Sequence, residues 1–155
     1  MGSKQKKHSL PPLPPFDSGW IKQKNGFSKK TIDFTESLGE YLAHHKLTST
    51  QIRNVYEEVK RIEATLKGKM KDIADRDDAE KNDFEIVRTD FLLLRPKIAY
   101  AAKRAKSKGM TKFKTLMDEA HSAVLEGTNE VQSFLNFSKF FEAILAYHKV
   151  YGGQD

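Results

Sequence analysis

Val131-Gln132-Ser133-Phe134-Leu135-Asn136-Phe137-Ser138-Lys139-Phe140-Phe141-Glu142-Ala143-Ile144-Leu145-Ala146-Tyr147 is the stretch on which the fold turns. Read at helical spacing, its apolar residues cover more than half of the circumference, too broad an arc for a helix lying on a surface. It predicts the central helix of a bundle, over about residues 129–150. Just before it, Phe113, Leu116, Met117, Ala120, Ala123 and Val124 recur at i, i+3, i+4 and stop at Gly127, which predicts a fourth amphipathic helix.

Further toward the N-terminus, Phe84, Val87, Phe91, Leu94, Ile98, Ala101 or Ala102, and Ala105 mark the buried face of a third helix starting near Asn82 or Asp83. Pro96 interrupts it, removing the backbone bond to the Leu92 carbonyl, so a kink or break is expected there, and Gly109 is expected to close the element. A second helix opens with the capping-box pair Thr48 and Gln51 and carries Ile52, Val55, Val59, Ile62 and Leu66; it ends at Gly68 or runs on to Ile73. The first spans about residues 32–46, through Phe34, Leu38, Tyr41, Leu42 and His45, with Gly39 weakening it slightly. Between the second and third, the acidic residues 72–83 read as a connector. They lack the alternating ligands, central glycine and terminal glutamate of a calcium loop. No internal repeat and no sustained strand alternation competes.

The fold class is therefore all-α, a single-domain bundle of about five helices over residues 32–155. Residues 1–31 hold four of the five prolines among lysines and have no helical apolar spacing, so they read as a flexible, basic, proline-rich arm. Phe16, Trp20 and Phe27 are its candidates for contact with the body. Deleting residues 1–30 is expected to leave the fold intact. The Pro-x-x-Pro pattern lacks the basic residue that a polyproline ligand carries at its usual offset.

A chain of 155 residues is long enough for one core. The absence of cysteine excludes disulfides and thiolate metal ligands and suits a reducing cytoplasm, where this reading places the protein. No apolar run approaches the ~20 residues needed to span a bilayer. The basic N-terminus is followed by prolines where a secretory signal would need an apolar stretch. His8, His44, His45, His121 and His148 include no metal-binding pair with a glutamate base, and His45 and His148 fall in register with core positions. There is no phosphate-binding glycine loop, nucleophile elbow or dinucleotide fingerprint, so neither an enzyme nor a cofactor is expected.

Charge is more informative. The chain carries +6 in all, and residues 1–31 alone supply seven lysines against Asp17. Residues 32–94 carry −4, residues 95–114 carry +8 with no acidic side chain, and residues 115–155 carry −4. Such polarisation within a neutral body is the mark of a localised anion-binding strip. At 100° per residue, Leu94, Ile98, Ala101, Ala102 and Ala105 cluster on one side. Arg95, Lys97, Lys103, Arg104, Lys106 and Lys108 take the solvent side, Lys112 continues the run, and Tyr100 stands among the cations. Lysine-rich helices are often only solvated faces, and a kink at Pro96 leaves burial of Tyr100 open. Eight cations without an anion in twenty residues nonetheless favour binding, with phosphates held by cations and a base or ribose resting on the tyrosine.

Two segments carry a family resemblance, Leu94-Arg95-Pro96-Lys97-Ile98-Ala99-Tyr100-Ala101-Ala102-Lys103-Arg104 and Phe134 to Tyr151 with its Phe-Phe-Glu-Ala-Ile-Leu-Ala-Tyr-His-Lys run. In content and order they resemble the small subunit of type III-A CRISPR effector complexes, the Csm family, over about Phe34 to Gly153, with the arm outside. The resemblance implies a five-helix bundle that self-associates, in stacked copies or a dimer, alongside the backbone subunits that carry the CRISPR RNA. Its surface would line the groove holding guide RNA and target RNA. Target cleavage would belong to the backbone subunit, and DNA cleavage and cyclic-nucleotide synthesis to the large subunit, so this chain would be a non-catalytic clamp in antiviral defence. Arg95, Lys97, Lys103 and Arg104 are the first phosphate contacts it points to. Two other readings share the fold: an adapter docking its basic helix on an acidic protein, and a membrane-surface helix, which the few large apolar residues around Lys103 to Lys112 disfavour.

Overall fold

The structure, a computed structural model, describes residues 10–74 and 83–153. Its regular elements are α1 (Gly19–Lys22), α2 (Lys29–His44), α3 (Ser49–Ala74), a 3-10 turn (Asp83–Ile86), α4 (Arg88–Ala105), α5 (Lys108–Glu126) and α6 (Glu130–Val150). All are helical, and the short α1 makes six α-helices among the described residues where about five were expected. The Asp75-Arg76-Asp77-Asp78 part of the expected connector lies outside the described residues.

Side chains fix several helix starts by satisfying amide groups that a first turn leaves unpaired. Thr48 and Gln51 form the expected capping box, with Thr48 N donating to Gln51 Oε1 at 3.1 Å and Gln51 N donating to Thr48 Oγ1 at 3.2 Å. Ser107 Oγ accepts from Met110 N, and Asn129 Oδ1 from Gln132 N, each at 3.0 Å.

α6 packs against α1, α2, α3, α5 and the 3-10 turn, as its broad apolar arc requires. Phe134, Phe137, Phe140, Phe141 and Ile144 are fully buried. Phe91 of α4 meets Phe134 and Phe137 edge-on at 5.7 Å, Phe34 of α2 stacks on Phe140 at 6.1 Å, and Phe113 of α5 meets Phe141 at 5.5 Å. Close approach of α2 to α6 depends on Gly39, where a Cβ would stand 2.6 Å from that of Tyr147 and 2.8 Å from the His148 nitrogen. The residue expected to weaken α2 is what lets it dock.

The arm boundary at residue 31 is corrected. Ile21 is fully buried, and Phe16 and Trp20 pack on Phe34 at 6.0 and 5.1 Å. Asn136 of α6, itself buried, donates through Nδ2 to the carbonyls of Ile21 and Gln23, both at 3.0 Å. Phe16, Trp20 and Ile21 thus pack with the core, Phe16 and Trp20 as the contacts expected of the arm. They are held both by Phe34 nearby and by α6 residues more than a hundred positions along the chain.

Two further expectations change in and after α4, the break at Pro96 and the closing role of Gly109. α4 runs through the exposed Pro96 as one element and ends at Ala105, capped by Lys106 in the left-handed region at φ 55°. Gly109 does not close α4. It sits in the first turn of α5, where its N–H donates to the His45 carbonyl at 2.9 Å and a Cβ would stand 2.7 Å from that oxygen.

Because Phe141 has no exposure, Phe141→Ala is expected to cost about 3–5 kcal/mol through the cavity it leaves; an unchanged urea midpoint would contradict the packing. A chain starting at residue 29 is expected to melt well below the full chain, and Ile21→Ala alone to cost about 2–5 kcal/mol. Equal stability of the truncated and full chains would restore the arm reading.

Candidate nucleic-acid interface

The eight residues expected at the site do not share one face. α4 runs between α3 and α5, so its cations part to either flank. On the α5 flank, Arg95 Nε lies 3.6 Å from Asp118 Oδ1, and Lys114 engages the other oxygen of Asp118 at 2.7 Å. On the α3 flank, Lys97 Nζ donates to Glu58 Oε1 at 3.0 Å, and Arg61 donates to the same oxygen at 2.5 Å. The hydrogen bonds from Arg61 and Lys97 outweigh burial and lower the Glu58 pKa to about 2. Two of the four cations to which the resemblance first pointed are therefore already paired within the fold.

Tyr100 is 66% exposed, which settles its position on the solvent side, and the Arg104 guanidinium carbon stands 5.7 Å from its ring centre. Lys97, Tyr100 and Arg104 line a groove of about 440 Å³ between α3 and α4, with Gln51, Asn54 and Glu58 on the facing helix. Those three α3 residues were not singled out from the sequence as site residues, Gln51 being read only as a helix cap. Their signal was an i, i+3, i+7 polar row beside the apolar stripe of that helix.

Lys103 is exposed and, on the helical projection, stands between the two flanks. Lys106, Lys108 and Lys112 wrap around the α4–α5 turn toward the end of α2. The left-handed cap holds Lys106 at the turn itself. Lys108 lines a cleft with Tyr41, His44, His45 and the Leu10–Leu13 segment, and Lys112 Nζ lies 5.8 Å from the Tyr41 ring centre. The His45 pKa is lowered by burial, then by the charge of Lys108 and by His44, a sign of positive potential at this end. Among the described residues, Lys103, Arg104, Lys106 and Lys108 have no carboxylate within ion-pair distance. Neither a group of three His, Asp or Glu side chains placed to hold a metal nor a helix long and apolar enough to cross a membrane occurs among those residues.

Residues 27–154 match the family model described as Csm2 type III-A. The chain belongs to that family. It is accordingly a small subunit of a type III-A CRISPR complex. The Csm2 match takes in α2 to α6 and every one of the eight candidate residues, whereas α1 precedes it. No curated protein and no solved structure matches the chain.

Beneath the basic helix, His121 of α5 is buried, stacks on Phe91 at 4.0 Å and donates through Nε2 to the Phe91 carbonyl at 2.8 Å. Burial lowers its pKa, and Arg95 adds to this; the Phe91 carbonyl and Asp118 act in the opposite sense. His148, buried and donating to the Leu47 carbonyl at 2.6 Å, is lowered mainly by burial too. Both are lowered from the ordinary histidine value of 6.5, so the unfolded chain takes up protons first as pH drops. Their stabilising effect is complete above pH 6.5 and is lost as pH falls through the lower folded values. The melting temperature is expected to fall between about pH 7 and pH 5, less steeply in His121→Gln, which keeps a donor for Phe91 but cannot be protonated. A flat profile across that window would contradict this assignment.

Proposed function

We propose that this chain is a non-catalytic clamp on guide RNA and target RNA within its type III-A complex, serving antiviral defence in the cytoplasm. The observation that carries the reading is the run Lys103, Arg104, Lys106 and Lys108, four cations at the end of α4 and around its turn with no carboxylate beside them among the described residues. Cations without internal partners attract a polyanion with little competition from the protein's own carboxylates. Phosphates spaced along a strand suit such a row, and the contact is indifferent to base sequence. Guide pairing reads the sequence while the chain reads charge and shape.

Arg95 and Lys97 join the clamp only by leaving Asp118 and Glu58, so they are secondary contacts, and Lys112 supports the far end. Leu92 and Leu93, adjacent on α4 and each more than two-fifths exposed, offer apolar surface for the backbone or large subunit or for another copy of the chain. The adapter reading, a basic helix seated on an acidic protein, differs in what salt and RNA do.

The test is single-stranded RNA binding by the full chain at several salt concentrations. With about three to five phosphates neutralised, log affinity should fall with log salt at a slope on the order of −2 to −3.5. Lys103→Glu with Arg104→Glu should weaken binding strongly for every sequence and flatten that slope by about 1.4, with the helical signal intact. Unchanged RNA affinity in the double variant would sink the clamp and favour the adapter.

A further inference from the structure

We propose that the groove between α3 and α4 seats one nucleobase of a single-stranded RNA, a site distinct from the phosphate contacts. The inference rests on the RNA-binding reading above and adds to it a contact with the base.

The groove has the size for such a ligand, and four features beyond its size converge on it. Its volume, about 440 Å³, lies in the range of pockets that take small molecules. Its floor is apolar and low: Val55 on α3 faces Ala101 and Ala105 on α4, and alanines one turn apart leave the space that larger side chains would fill. One wall is the Tyr100 ring, 66% exposed, whose hydroxyl makes no hydrogen bond among the described residues. The part of the ring left open to water beside Arg104 gains from a flat apolar partner, and every base has such a face.

The third feature is an edge of amides. Asn54 is exposed and makes no side-chain hydrogen bond among the described residues, so both its carbonyl and its NH₂ are available. Gln51 is more constrained. Its Oε1 is held by Thr48 N in the capping box, which fixes the side chain and leaves its NH₂ without a partner among those residues. Donors and acceptors in one plane's reach, over an apolar floor, are what the edge of a heterocycle uses and what an acyl chain does not.

The fourth is charge. Glu58 would repel a nucleotide's phosphate, but Arg61 and Lys97 already neutralise it, and Arg104 sits beside Tyr100 on the same groove. A nucleotide with its base on the tyrosine thus meets a guanidinium where its phosphate needs one.

The test compares two RNAs of about twelve nucleotides, within the span such surfaces cover, on the full chain at one salt concentration. One is oligoadenylate; the other has the same ribose-phosphate backbone without bases. Oligoadenylate is expected to bind roughly tenfold more tightly than the abasic strand, with the same salt slope. Tyr100→Ala and, separately, Asn54→Leu should remove that difference by lowering oligoadenylate affinity to the abasic level, leaving abasic binding and the melting temperature unchanged. Equal affinity of the two strands for the unmodified chain would overturn the base site and leave the clamp standing. Failure of both strands to bind would overturn the clamp, and the base site with it.

Discussion

Every part of this bundle depends on the burial of one aromatic-lined helix. α6 brings Phe134, Phe137, Phe140 and Phe141 into contact with rings from α2, α4 and α5, and edge-on contacts of this kind add to what area burial alone supplies. Each buried polar side chain described in this core has at least one hydrogen-bond partner, although the Nδ1 atoms of His121 and His148 have none. Asn136 is spent on two backbone carbonyls, and Ser138 donates to Glu63 at 2.5 Å. Burial opposes ionisation of Glu63, yet hydrogen bonds from Lys67, Ser138 and Lys60 prevail and lower its pKa to about 2. With the centre so committed, α4 is left at the side of the bundle, buried through Phe91, Leu94 and Ile98 and open to solvent along the rest.

What could be read without a structure follows from the range over which each signal acts. The stripes of α5 and α6 and the Thr48–Gln51 cap are contained within a few turns, and the structure places them where the sequence puts them. The angular distance of Tyr100 from Leu94 and Ile98 is local too and put the ring on the solvent side, but a proline between them left its burial open until the structure gave 66% exposure. Contact of Phe16, Trp20 and Phe27 with the body was expected and they pack on the core, but the burial of Ile21 between them was not. The segment has one helical turn and no sustained period, and its backbone is held by Asn136 and Ser133 far along the chain. Gly109 misled for a related reason: a glycine after a helix usually marks its end, and here the residue is needed by a neighbouring backbone.

The same contrast of range explains why the candidate site was half visible. A run of cations is local, but whether each cation is free depends on what lies opposite. Glu58 faces Lys97 from 39 residues away, and Asp118 reaches Arg95 from another helix. Both acidic residues lie outside the segment counted as uniformly positive. The fold thereby divides the strip into cations committed to joining helices and cations left to solvent, concentrated at the end of α4. A polyanion entering there meets charge whose interaction with the protein's own carboxylates is weak, and need not break an ion pair first.

The reach of the Asn136 contacts also bears on how the chain is made. Asn136 grips carbonyls 115 and 113 residues back along the chain, and His148 closes on Leu47 across 101. During synthesis α6 leaves the ribosome after the other five helices, so the earlier ones emerge with their apolar faces still lacking the partner that covers them. A helical protein ordinarily assembles quickly from near neighbours, whereas closure here waits for distant segments to meet. The growing chain passes through a stage in which Ile21, Phe34 and Phe91 are translated but uncovered, and a holding chaperone would recognise that stage rather than the finished subunit.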